Sequence, residues 1–302
     1  MAVAGSRAGN VIGNGDWVLD SDYEPYSILA GRTGLMKTPT LPILNFESSL
    51  KLAKLRLLRM HHESNSGHLG GNFSCIDALM TLHHLIMKPD DRFILSKGHS
   101  AGALYVTLWS LGKLKDSDLE TFSKDNTLLP GHPSGAGIPN LLFSTGSLGH
   151  GPSLAAGLAL AAKHKNLDQQ IYCLCSDGEW QEGSCWEALI FSVHHQLINL
   201  IIIIDQNGLQ GFGRTENIIS CSDLTSRISS FGAHVQRIDG HNYLEIKKSL
   251  ENKSSEKPNL LILNIIKGKD LHFEGEMKSH YLPLSEEQYH IAYVKINEGG
   301  NL

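Results

Sequence analysis

The chain predicts an α/β fold, a doubly wound and mostly parallel sheet flanked by helices, on two observations. Five short, mostly apolar runs, Phe93–Leu95, Ile171–Cys175, Leu200–Ile204, His234–Ile238 and Leu260–Ile266, read as strands buried on both faces. Helical stretches separate them: residues 148–165 and 183–197 carry apolar positions three and four apart, including Trp186, Leu189, Ile190, Val193 and Leu197. Strand and helix alternating in this way is the pattern of a parallel sheet covered on both sides.

The elements follow in order. Residues 1–42 are rich in Gly, Pro and Asp, lack sustained periodicity, and read as an irregular N-terminal arm. The main domain spans 43–302. It opens with a helix marked by Leu50, Leu52, Leu55, Leu57 and Leu58, and a second helix is expected from Phe73 to about Met87. The polar stretch Glu251–Pro258 reads as a surface loop before the last strand. A net charge of -5 without a run of Lys or Arg argues against nucleic acid or an anionic membrane, so the expected ligand is small. Five cysteines (Cys75, Cys173, Cys175, Cys185, Cys221) form no CxxC pair and mostly lie in apolar segments, as buried thiols in a reducing cytoplasm would. The apolar run Leu197–Ile204 is broken by Asn199 and too short to span a bilayer. A cytoplasmic protein is expected.

The chemistry concentrates where strands end. Ser176-Asp177-Gly178-Glu179 follows one strand and Asp205-Gln206-Asn207-Gly208-Leu209 follows the next. In an open parallel sheet, ligands bind at that edge, where strand ends and helix N-termini converge. Asp177 and Asn207 are one strand-helix-strand unit apart, so two hard oxygen ligands can meet there, a pairing that suits Mg²⁺ or Ca²⁺ holding a diphosphate. Gly178 lets a phosphate oxygen approach the backbone. Taken singly, Asp-Gly and Asn-Gly are ordinary turns.

The two together resemble the thiamine diphosphate signature, and the intervening segment from Gln181 to Asp205 resembles transketolases in particular. Further blocks agree in order: Ser64-Asn65-Ser66-Gly67-His68, Leu95-Ser96-Lys97-Gly98-His99, Gly131-His132-Pro133, Ser144 to Gly151, and His280 after Ile266-Lys267-Gly268-Lys269. The likeness covers about residues 45–290. Two departures stand out: Ser176 replaces the usual first Gly, and Asp205-Gln206-Asn207 lacks a doubled Asn. Lys97 is open to two readings, attraction of phosphate or simple solvation.

The resemblance implies that Asp177, the Asn207 side chain and the Leu209 carbonyl bind the metal. It implies that Gly178 and His99 contact the diphosphate, that the Gly146 carbonyl accepts from the cofactor's 4′-amino group, and that Leu148 also binds the cofactor. His68, His132 and His280 would line the approach to the reacting carbon, where a side chain that donates, accepts or relays protons near neutral pH is wanted. Glu182 would lie at a subunit interface. The activity implied is transfer of a two-carbon ketol unit from a ketose to an aldose. The pyrimidine-binding domain of the family has no counterpart here, since too few residues follow His280 to build one. A separate pyrimidine-binding subunit, in a dimer of heterodimers, is therefore expected. Alternatives are another thiamine-dependent carboligase of modified-sugar metabolism, or a non-catalytic subunit that keeps the fold. Ser6–Trp17 also resembles a fragment of CDP-glucose 4,6-dehydratases, without the dinucleotide fingerprint that would imply their chemistry.

Overall fold

The computed structural model describes residues 45–298 apart from 136, 139–140 and 221–222. The expected N-terminal arm with its dehydratase-like fragment lies outside the described residues, as does Cys221. The helices α1 (Phe46–Glu63) and α2 (Leu69–Thr81) come first, α2 continuing as a π-helical turn over Leu82–Ile86. The second helix thus starts earlier than its apolar spacing suggests, because the Gly-rich 67–71 segment is already helical from Leu69. Then follow β1 (Arg92–Leu95), a 3₁₀ turn (Gly98–Ser100), α3 (Ala101–Ser110), α4 (Asp116–Leu119) and α5 (Gly151–His164). Next are β2 (Ile171–Ser176), a second 3₁₀ turn (Gly178–Gln181), α6 (Gly183–His194) and β3 (Leu200–Gln206). A small hairpin of β4 (Leu209–Gln210) and β5 (Gly213–Arg214) leads through α7 (Thr215–Ile218) and α8 (Leu224–Ser230) to β6 (His234–Asp239). The chain continues with α9 (Tyr243–Glu251), β7 (Asn259–Asn264), α10 (Lys278–Tyr281) and α11 (Glu286–Glu298).

The sheet has the order β1-β2-β3-β7-β6 with every neighbouring pair parallel. All five expected strands are present, but β6, at the edge of the sheet, is half exposed rather than buried on both faces, because it has a neighbour on one side only. The last stops at Asn264, two residues short of the apolar run. The Ile265 amide makes the final bond to the Gln206 carbonyl, and the Ile266 amide is taken by His241 Nε2 at 3.0 Å.

Period-two alternation divides the strands between two cores. Phe93, Leu95, Tyr172, Leu174, Ile201, Ile203, Leu261 and Leu263 pack with α1, α2, α3, α9 and α11. Ile94, Ile171, Cys173, Cys175, Leu200, Ile202, Ile204, Leu260 and Ile262 pack against α5, α6 and α8. The sheet is therefore doubly wound, and apolar continuity along β3 reflects burial on both sides. Cys75, Cys173, Cys175 and Cys185 are free and buried, in keeping with their apolar surroundings in the sequence. No helix among the described residues is long and apolar enough to cross a membrane.

The register sets the site. Ser176 lies opposite Asp205 across the β2–β3 pair, and Leu95 lies opposite Leu174. Residues 96–99, 177–178 and 206–209 consequently emerge side by side at one sheet edge. Because β3 is buried on both faces, Ile202→Ala should destabilise the fold by about 2–5 kcal/mol in urea unfolding. Ile190→Ala, half exposed on α6, should stay within about 0.5 kcal/mol.

Candidate active site

Asp177 stands at the end of β2, almost wholly buried. Its carboxylate accepts from the amides of Gly178 (2.9 Å) and Gly208 (2.8 Å) and from the Thr215 hydroxyl (3.1 Å). These donors are neutral. Burial, with the negative charge of Asp205 nearby, pushes the carboxyl up to about 6. Asn207 is fixed on both sides of its amide: Nδ2 donates to Asp205 at 3.0 Å, and Oδ1 accepts from the Leu209 amide at 3.1 Å. The Leu209 carbonyl accepts from Lys267 Nζ at 3.0 Å.

Lys97 fits neither reading of its sequence context. It is fully buried and forms an ion pair with the equally buried Asp205. Its ammonium also donates to the Gly71 carbonyl (3.0 Å) and the Ser74 hydroxyl (3.2 Å), and Ser74 donates to Asp205. The charge is spent inside the protein, so it is neither solvated nor presented to a phosphate. The pair raises Lys97 and lowers Asp205 despite the burial that opposes both charges.

Four histidines from separate segments converge beside this edge. Ring centroids lie 5.1 Å apart for His68 and His280, 5.8 Å for His68 and His99, 6.0 Å for His99 and His280, and 6.3 Å for His68 and His132. His68 heads α2 in a left-handed conformation (φ 63°), uncommon for a residue with a side chain and characteristic of functional sites. Its amide donates to the His280 carbonyl at 3.0 Å. A Cβ on Gly67 or Gly70 would collide with Tyr281 or Ser279, so glycine lets α10 lie directly on the start of α2. Lys267 Nζ reaches His280 Nδ1 at 2.8 Å. Burial and that ammonium push His280 down to about 3, while burial and the cation Lys97 hold His99 well below the usual range. Burial and the neighbouring His68 and lysine charges thus keep these imidazoles neutral. Lys267 is itself lowered to about 8 by burial and Lys97.

Gly146 (φ 132°) and Leu148 sit on a turn laid against the end of β1: a Cβ on Gly98 would fall 2.7 Å from the Gly146 amide nitrogen. His132 flanks Gly146 on the other side. Glu182 is exposed at the head of α6, next to Gly149. The structure therefore gathers the expected Asp177, Gly178, Asn207, Leu209, His68, His99, His132, His280 and Gly146 at one edge, with Leu148 and Glu182 on its rim. Sequence reasoning misses three participants. Asp205 and Lys267 lie inside motifs that give them no role of their own, and Glu179 stands unremarked beside Gly178. The available signal is the same for each: a charged residue adjoining an apolar strand.

The family follows from the whole pattern. The chain matches the model of the transketolase thiamine diphosphate binding domain over residues 49–301. It belongs to that family. One of the subunits of the apulose-4-phosphate transketolase of Phocaeicola vulgatus is 36% identical over 255 residues, covering 80% of this chain and 90% of that protein. A 6-deoxy-6-sulfo-D-fructose transketolase subunit of a Clostridium species is 38% identical over 246 residues, covering 78% and 90%. Among solved structures, transketolase from Campylobacter jejuni superposes with a TM-score of 0.75 at 32% identity, and that from Leishmania mexicana with 0.77 at 26%. These matches take in 85% and 84% of this chain but 43% and 41% of those two longer proteins.

The residues present fit the cofactor the family is named for. Among the described residues no cluster of three His, Cys, Asp or Glu side chains has metal-holding geometry. A cation here would rest on one carboxylate, one amide oxygen and a backbone carbonyl, a hard-oxygen set suited to Mg²⁺. Asp177, buried with only neutral donors, is the group such a cation would stabilise.

Two outcomes follow. Lys97→Met strands the Asp205 charge and should cost on the order of 3–5 kcal/mol in urea unfolding. His61, behind the histidine cluster, is buried and pushed down to about 4, so it stays neutral in the fold while its unfolded counterpart titrates near 6.5. Unfolding then takes up a proton as pH falls from about 6.5 towards 4. The stability of the protein relative to His61→Asn should shrink across that window when urea curves at pH 7 and pH 5 are compared.

Proposed function

We propose that this chain is the N-terminal subunit of a two-chain transketolase that moves a two-carbon ketol unit from a ketose to an aldose, using thiamine diphosphate and Mg²⁺. The observation carrying this reading is the convergence of four histidines beside Asp177 and Asn207 at the sheet edge of a transketolase-family domain. Asp177, Asn207 and the Leu209 carbonyl would hold the metal. The Gly178 amide and His99 would meet the diphosphate, and the Gly146 carbonyl the 4′-amino group, with Leu148 also against the cofactor. Bound thiamine diphosphate supplies the electron sink that lets a carbon–carbon bond next to a carbonyl break and re-form.

The chain's own residues position and protonate. Lys267 donates to Nδ1 of neutral His280, so the imidazole proton sits on Nε2, free to bond a sugar oxygen. His68 and His132 complete a wall of donors and acceptors suited to a polyol. The sugars for which the two relatives are named, apulose 4-phosphate and 6-deoxy-6-sulfofructose, each carry a terminal anion. We assign the same substrate class, a ketose with an anionic end, to this chain. The naming of those relatives as subunits supports a separate pyrimidine-binding partner, which we place in a dimer of heterodimers with Glu182 at the interface. The four buried free thiols fit a cytoplasmic location.

The test is affinity purification from the native cell with thiamine diphosphate and Mg²⁺, followed by ketol-transfer assay of the recovered pair. A stoichiometric partner, activity from the pair and none from either chain alone are expected. Asp177→Ala should abolish Mg²⁺-dependent cofactor binding. Cofactor binding that ignores both EDTA and this substitution would sink the metal assignment, and a pair inactive on every ketose donor would sink the enzymatic one.

A further inference from the structure

Glu179 is fully buried one residue beyond Gly178, and among the described residues it forms no ion pair. A carboxylate is costly in such a place unless its lone pairs are filled. They are. Oε2 accepts from the Ser176 amide (2.8 Å) and hydroxyl (3.3 Å), while Oε1 accepts from the Gly149 amide (3.0 Å) and the Ser96 hydroxyl. Ser96 Oγ in turn accepts from the Gly151 amide at 3.2 Å. One side chain thus ties together the end of β1, the end of β2 and the 146–151 turn.

The Ser184 hydroxyl at the head of α6 donates to the Gly149 carbonyl at 2.9 Å, while toward β1 and β2 the turn is held by Glu179 and Ser96. It lies backbone against backbone on residues 96–98: a Cβ on Gly151 would run into Ser96, and one on Gly98 into Gly146. Gly149 holds φ 81°, and Leu148 is substantially exposed to solvent. Interdigitated side chains cannot set the register of such a contact, so hydrogen bonds must. A carboxylate suits the role because it accepts from both sides and donates to neither. Glutamine in the same place would set its NH₂ against either the Gly149 or the Ser176 amide.

We propose that Glu179 is a positioning residue, a clamp that holds the 146–151 turn against β1 and β2 so that the cofactor cradle is formed before the cofactor arrives. The proposal rests on reading this edge as a thiamine diphosphate site. Glu179 touches no reacting atom in this role; it acts through Gly146, Leu148 and Gly178, the groups placed against the cofactor.

Hydrogen exchange on the cofactor-free full-length chain tests the clamp directly. In Glu179→Gln the amides of Gly149 and Gly151 should exchange at least about ten-fold faster, the change expected when a hydrogen bond to a charged group is lost, with β3 amides unchanged. Ser96→Ala, a milder cut of the same network, should accelerate the same two amides and keeps the test open if Glu179→Gln fails to fold. In the pair with its partner subunit, Glu179→Gln should raise the thiamine diphosphate concentration for half-maximal activity on the order of ten- to a hundred-fold, with kcat at saturating cofactor nearly unchanged. Isothermal titration of cofactor and Mg²⁺ should show the same loss of affinity. Unchanged exchange at Gly149 and Gly151 in both variants overturns the clamp, as does loosened exchange with normal cofactor affinity. Absence of cofactor binding by the unsubstituted pair is a separate result, which overturns the reading of the site itself.

Discussion

The sheet edge depends on the buried ion pair between Lys97 and Asp205. It joins the segment just after β1 to the penultimate residue of β3, and through Gly71 and Ser74 it also binds the start of α2. Two charges without solvent are tolerated only when their remaining bonding capacity is filled, and here it is. The geometric product is the orientation of Asn207. Asp205 Oδ1 accepts the Asn207 NH₂, which settles which end of the amide is oxygen and turns it away from the carboxylate. The pair itself cannot react. Its work is to align three elements whose other residues do.

Around that pair the charges are graded. Burial, seconded by the charges of Lys97 and Lys267, keeps His99 and His280 neutral, while Asp177 has no ion-pair partner among the described residues. Neutral imidazoles and one destabilised carboxylate are what a site needs if it must hold a cation-bound anion on one flank and a polyhydroxylated, carbonyl-bearing substrate on the other. Lys267 serves both flanks, because its ammonium bonds the Leu209 carbonyl and His280 at once.

Much of this is legible in the sequence. Uninterrupted apolar runs announce strands buried on both faces, and strand-end positions pick out Asp177 and Asn207. The histidines are legible only as ordered landmarks; nothing in spacing alone brings His68 and His280 within 5.1 Å, since that contact is made by α10 packing on the glycines of the 67–70 segment. Lys97 misleads because charge ordinarily implies solvent, and its partner lies 108 residues away on a strand that β1 does not pair with. Glu179 escapes notice for a related reason: its partners Ser96 and Gly149 are distant in sequence, and an acidic residue in a turn ordinarily faces water. Long-range polar pairing inside the fold leaves no periodic trace.

The distribution of hydrogen bonds separates scaffold from site. Lys97, Asp205 and Glu179 have their capacity filled by protein groups. Among the described residues, the ring nitrogens of His68, His99 and His132 take no protein hydrogen bond, although these rings crowd together at the same edge. A site that satisfies the buried charges of Lys97, Asp205 and Glu179 while leaving adjacent imidazoles unsatisfied has placed its unused donors and acceptors where a ligand can take them up. Buried polar groups left open elsewhere would cost stability with nothing to recover it. Half-open at the rim of the sheet, they lose little to water in the free protein and are aligned when a polar ligand replaces it. The inner ring of saturated charges is the reason the outer ring can stay unsaturated without the edge losing its shape.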